Sequence, residues 1–173
     1  ILLTYYLLDN LKDKQQRAYI LNHYLEQFRG TVYRQTMFAE FEKIIHGMAQ
    51  NGEPLTMENL SKIYYDLNVK YYGRDIIVDR EIALEWARIP HFYSSFYVYK
   101  YATGFSAAAA LAKQILNEGA PAVQRYMDFL SSGGSDYPIN LLKKAGVDMT
   151  TSEPVESALR TFGEMVEEME KLI

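Results

Sequence analysis

A chain of 173 residues, 49% hydrophobic and 23% charged, has the size of one ordinary domain and enough apolar side chains for a core, which excludes a disordered chain. A net charge of −4 with no basic block argues against nucleic acid or an anionic membrane as the main partner. With no cysteine, disulfides and thiolate metal sites are excluded, and no apolar run approaches the roughly 18 residues of a membrane span. A chain without cysteine also fits a reducing compartment, and a cytoplasmic location is the expectation.

In chain order, residues 1–11 read as one helical piece, apolar at Leu3, Leu7 and Leu8. They are too short and lack the basic start of a leader peptide. Without an initiator Met, they read as the middle of a helix in a longer protein. Asp13 can cap the next helix, whose apolar residues recur at Leu21, Tyr24, Leu25, Phe28 and Val32 and continue at Met37, Phe38, Phe41, Ile44, Ile45 and Met48. Gly30 and the Thr31-Val32 pair weaken the middle and predict a kink, and Gly47 or Gly52 ends the run. Thr56 is the expected cap of a helix over 57–72 that Gly73 closes, with Leu60, Ile63, Tyr64, Leu67 and Tyr71 on its buried face. Ile76-Ile77-Val78 is β-branched but too short for a sheet, so it reads as an extended connector. A short helix over 81–88 carries the only tryptophan, Trp86.

The stretch 89–104 packs His91, Tyr93, Tyr97, Tyr99 and Tyr101 together. Pro90 disfavours helix at Ile89, and a helix can start after Ser94-Ser95, since serine is a good N-cap. On that helix Tyr97 and Tyr101 share a face and Tyr99 points elsewhere. Phenol and imidazole groups so close offer several neutral hydrogen-bond donors, able to stabilise a developing oxyanion. The competing reading is a tyrosine-rich packing helix whose hydroxyls reach water. Beyond the alanine-rich run after Gly104, helices are expected over 122–130, from Pro138 to Gly146, and from Thr151 or Ser152 onward. The last has a seam of Val155, Leu159, Phe162, Val166, Met169 and Ile173. The whole reads as all-α, one domain over 1–173.

Metal chemistry has little support. Of the three histidines, His23, His46 and His91, no pair has the spacing of His-Glu-x-x-His, and His23 and His46 read as structural. Glu40 and Glu42, two apart on a helix, do not share a face and make a poor acid/base pair. Glu164, Glu167, Glu168 and Glu170 form a solvated face, and the Gly-rich turn 131–136 matches no phosphate loop.

Three stretches carry a resemblance: Ile-Pro-His-Phe-Tyr with Tyr-Lys-Tyr-Ala-Thr-Gly-Phe-Ser-Ala-Ala over 89–108, Phe-Arg-Gly-Thr-Val-Tyr-Arg-Gln-Thr-Met-Phe-Ala-Glu-Phe-Glu over 28–42, and Ser-Gly-Gly-Ser-Asp-Tyr-Pro over 132–138. Together they resemble the C-terminal catalytic region of the oligoendopeptidase F group, within the thimet-oligopeptidase-like zinc metallopeptidases. The resemblance covers essentially the whole chain. It implies the all-α, multi-helix C-terminal part of a thimet-oligopeptidase/neurolysin-like (zincin) catalytic domain. It also implies a parent enzyme with one zinc, held by two histidines of His-Glu-x-x-His and a glutamate on the following helix, hydrolysing short oligopeptides. On this resemblance the chain begins shortly after the third zinc ligand. Zinc then belongs to the parent, no native metal site is expected in these residues, and the fragment alone is expected to be inactive. His91 matches the histidine ahead of the family's tyrosine cluster, and Tyr101 best matches the oxyanion-stabilising tyrosine. Tyr97 and Tyr99 are implied in substrate binding. In the thimet branch a glycine-rich loop follows the histidine; here Ser94-Ser95 stands in its place. The implied partners are an oligopeptide substrate and the N-terminal part of the same protein. Apolar surface along 1–11 would favour a homodimer. The alternative to the peptidase reading is a non-catalytic helical scaffold or interaction module.

Overall fold

Local signals start and stop the helices. In the computed structural model, which describes residues 1–173, the Asp13 side chain accepts a hydrogen bond from the Gln16 N–H at 2.9 Å and opens the helix Lys14–Phe28. Thr56 does the same for Asn59 at 3.2 Å and opens Met57–Tyr72, which ends where Gly73 turns to φ +82°. Eight α-helices result, α1 (Leu2–Asn10), α2 (Lys14–Phe28), α3 (Arg34–Gln50), α4 (Met57–Tyr72), α5 (Tyr99–Glu118), α6 (Ala120–Ser131), α7 (Pro138–Lys144) and α8 (Glu153–Glu170), and there is no strand. A π-helical turn, Arg29–Tyr33, stands at the expected kink, and two 3-10 helices, Arg80–Arg88 and Pro90–Tyr93, precede α5. None of the helices is long and apolar enough to cross a membrane.

The contacts divide the chain into two compact units, residues 1–29 with 103–173, and residues 30–102. In the first, Leu21, Tyr24 and Phe28 of α2 are fully buried. The Phe28 ring stacks on Phe162 of α8 at 4.5 Å between centroids and meets Phe105 of α5 edge-on at 5.3 Å. The Arg17 guanidinium donates to the Leu8 carbonyl and, at 3.2 Å, to that of Leu11, and pairs with Glu168 of α8. A second cluster joins Ala107 and Leu111 of α5 to Ala145 and Val147 after α7. Between those two, Gly146 has φ +95°, a conformation that residues other than glycine rarely adopt.

The second unit is built on α3 and α4. Met37, Phe38 and Phe41 pack against Tyr64 and Leu67, and Ile89 and Val98 close the same core. Glu85 of the longer 3-10 helix, only 7% exposed, ties this unit together. It accepts from Arg34 of α3 at 2.7 Å and from the Tyr64 hydroxyl of α4 at 2.7 Å, and it also pairs with Arg88. Burial pushes the Glu85 carboxyl up, but hydrogen bonds from Tyr64 and Arg34 and the charges of both arginines outweigh it and hold it below the usual carboxylate range. Trp86, half-buried against the same core, donates its indole N–H to Ser61 Oγ at 3.2 Å.

Most of the expected boundaries stand: of the two glycines offered for the end of α3, Gly47 lies inside it and Gly52, at φ +75°, follows its end. Three local readings are corrected. The helix expected over 81–88 is 3-10 and starts at Arg80. No helix starts behind Ser94-Ser95; α5 begins at Tyr99, because the intervening backbone is bonded elsewhere. On α8 the buried stripe is Pro154, Ser157, Ala158 and Met165, while Leu159 is exposed. Of the expected seam, Phe162 packs on Phe28 of α2.

Candidate functional site

Pro90 opens the four-residue 3-10 turn that carries His91, its fixed φ suiting the first helical position. The chain then leaves helical geometry over 94–98. Phe96 takes φ +58°, the one residue other than glycine with positive φ, at a cost of about 1–2 kcal/mol for an L-residue. Its N–H donates to Glu42 Oε1 of α3 at 2.9 Å, and its ring lies 4.5 Å from that of His46. Val98 is fully buried in the core of this unit. Tyr97, between these two anchors, turns outward.

The result is a triangle of rings. Tyr97 lies 5.8 Å from His91 and 5.7 Å from Tyr101, and Tyr101 lies 6.0 Å from His91, centroid to centroid. The Tyr101 hydroxyl is 3.4 Å from His91 Nε2, at the outer edge of hydrogen bonding. Either group can donate, according to the histidine tautomer. All three side chains are exposed, Tyr97 at 41% and Tyr101 at 37%. Tyr99, 49% exposed, is two residues from Tyr101 and so on a different face of α5. The Lys100 ammonium lies 4.8 Å from the centre of the Tyr97 ring, placing a positive charge beside the group.

A hydrogen bond from the Tyr101 hydroxyl to Tyr97, with a lesser contribution from burial and from the Tyr97 charge, holds the Tyr101 phenol above its ordinary range. A phenol in or above its ordinary range is protonated at neutral pH. A hollow of about 260 Å³ is lined by Pro90, His91, Ser94 and Tyr97. A larger hollow of the same unit, about 560 Å³, is lined by Tyr72, Ile77, Ile82 and Arg88 among others and contains none of the three rings. We take the smaller one as the candidate site, because His91 and Tyr97 line it and the Tyr101 ring stands beside both. Two phenols and an imidazole whose rings lie 5.7 to 6.0 Å apart can donate hydrogen bonds to a carbonyl oxygen that gains negative charge. No group of three or more His, Asp or Glu side chains could hold a metal ion, so these residues do not fit the zinc that the resemblance implies.

With this geometry in view, residues 1–161 match the model of Peptidase family M3. The chain belongs to peptidase family M3. This M3 chain is 64% identical over 172 residues to an oligopeptidase PepF of Bacillus subtilis (strain 168), an alignment covering 99% of the chain and 26% of the relative. It is 49% identical to a group B oligopeptidase PepB of Streptococcus agalactiae, again over 99% of the chain and 29% of the relative. Among solved structures, that of oligoendopeptidase-F from Enterococcus faecium aligns with a TM-score of 0.95 at 54% identity, covering 98% of the chain and 33% of the other. The chain thus spans between about a quarter and a third of these relatives.

Of the four residues singled out in the sequence, the structure joins His91, Tyr97 and Tyr101 and leaves Tyr99 on another face. Glu42 and Glu85 were missed as structural centres. For Glu42 a signal existed: the apolar positions Phe38, Phe41 and Ile45 run straight through it at helical spacing.

Proposed function

We propose that this chain is part of a zinc-dependent oligoendopeptidase that hydrolyses short peptides in the cytoplasm. In this reading the zinc ligands come from other parts of the same protein, and the segment alone is inactive. His91 and Tyr101 are its catalytic residues, donating hydrogen bonds to the oxygen of the peptide carbonyl under attack, and Tyr97 and Tyr99 bind the substrate. Residues 1–173 act as one helical C-terminal part of the parent's catalytic domain. Membership of family M3 and the names of the relatives support the peptidase class. The observation that carries the roles is the open triangle around the protonated Tyr101 phenol. A helical scaffold with no catalytic part would leave tyrosine-to-phenylalanine changes in this group kinetically silent. Apart from the parent's other residues and a peptide substrate, the partner we propose for the isolated segment is a second copy of itself, covering exposed apolar side chains.

The test extends the chain to the length of its relatives and assays it on an internally quenched peptide, with and without a chelator. We expect chelator-sensitive cleavage. Tyr101→Phe should lower kcat on the order of a hundredfold, roughly 3 kcal/mol of barrier, and change KM much less, as the loss of one oxyanion donor does. An unchanged kcat removes Tyr101 from the mechanism. No cleavage by a folded, zinc-loaded extended chain would favour the scaffold.

A further inference from the structure

Glu42 is 1% exposed, on the core face of α3 among Phe38, Phe41 and Ile45. Only one of its carboxylate oxygens is used: Oε1 accepts from the Phe96 N–H, and Oε2 has no hydrogen-bond partner. A buried carboxylate with an idle oxygen opposes folding, and an apolar residue of the same size would serve the core better. What the position supplies is the acceptor. It supplies it to the one residue other than glycine with positive φ, in the middle of the segment that joins the His91 turn to α5.

We propose that Glu42 is a positioning residue for the candidate site: by holding the Phe96 N–H it fixes the backbone path that brings Tyr97 against His91 and Tyr101. The linker is pinned on both sides of Tyr97, by the Glu42 bond and the His46 ring at Phe96 and by burial of Val98. With both neighbours held, the direction of the Tyr97 side chain is set. Without the acceptor, only the His46 ring remains to hold Phe96 in its disfavoured conformation. The path relaxes toward negative φ, and Tyr97 leaves the triangle. The kinetic consequence of this inference rests on the peptidase reading of the triangle; its structural consequence does not.

Two variants in the extended chain separate the acceptor from the volume. Glu42→Gln keeps an acceptor oxygen, and Glu42→Met fills similar space without one. Two readouts are taken: kcat and KM on the quenched peptide, and the 19F spectrum of protein labelled with 3-fluorotyrosine, with the Tyr97 and Tyr101 signals assigned from Tyr97→Phe and Tyr101→Phe. Glu42→Met is expected to shift both signals and lower kcat on the order of tenfold, with KM within about twofold, as loss of orientation does. Glu42→Gln should keep both signals and stay within about twofold of the parent in kcat. Combined with Tyr101→Phe, Glu42→Met should cost less than the sum of the two, since both act on one group. Unmoved tyrosine signals in Glu42→Met would overturn the proposal. So would a Glu42→Gln variant as impaired as Glu42→Met, or a Glu42→Met variant that fails to fold, which would make Glu42 a residue of the fold as a whole. If the extended chain cleaves nothing but the signals move in Glu42→Met alone, the positioning role stands and the peptidase reading falls.

Discussion

A tyrosine that donates a hydrogen bond to developing negative charge has to keep its proton. In this chain the neighbour extends that to higher pH. Tyr97, through its hydrogen bond and then its charge, holds Tyr101 above the ordinary phenol range. Removing the Tyr97 hydroxyl returns Tyr101 toward its ordinary value of 10.0. The sign follows: the protonated, donating form is lost at a lower pH. In the extended enzyme, Tyr97→Phe should therefore move the alkaline limb of the kcat profile to lower pH, where Tyr99→Phe leaves it in place. A limb that does not move in Tyr97→Phe would show that Tyr97 does not govern this proton. The pairing of Tyr97 with Tyr101 was legible as a four-residue step along a helix, yet Tyr97 precedes the helix. What brings the rings together is a tertiary bond from a residue 54 positions away, and no local spacing carries that.

At the scale of elements, Glu85 is the joint of the unit 30–102. It receives α3 through Arg34, α4 through Tyr64, and its own 3-10 helix through Arg88. Truncating it leaves a guanidinium and a phenol without their acceptor. For Glu85→Ala we expect a loss of about 2 kcal/mol, less than the cost of a fully buried pair because Arg34 keeps some solvent. Denaturant unfolding measures it, and a loss within about 0.5 kcal/mol, the range of ordinary surface changes, would contradict the role given to Glu85. Helix ends were the legible part of these elements. Asp13, Thr56 and Gly73 act within four residues of themselves, and the structure uses each as its type suggests. Ser94-Ser95 carries the same kind of signal and caps nothing. Ser152 stands at the cap of α8 without lending its side chain. The seam of α8 was misread in part: apolar size suggested Leu159, whereas the smaller Ala158 and Ser157 are the buried residues there. Glu85 escaped notice because a charged residue reads as solvated, and Glu42 was weighed only as half of an acid/base pair although its apolar neighbours run through it at helical spacing.

For the whole molecule, the exposed apolar side chains are the main fact. Leu3 is 67% exposed, Ile77 91% and Tyr93 88%. Such side chains are costly to leave in water when they gather in patches. Expressed by itself, the 173-residue chain is expected to sediment with a mass that rises with concentration above the 20.0 kDa of one copy. A constant single-copy mass would remove the proposed second copy. A different consequence follows from the place of Trp86. It is the chain's only tryptophan, and it lies in the unit that also carries the three rings, with its indole held by Ser61. Indole emission therefore reports on residues 30–102 alone, while circular dichroism averages over every helix. Following both through one unfolding transition would show, with no label added, whether the ground on which the triangle stands melts together with the rest or ahead of it.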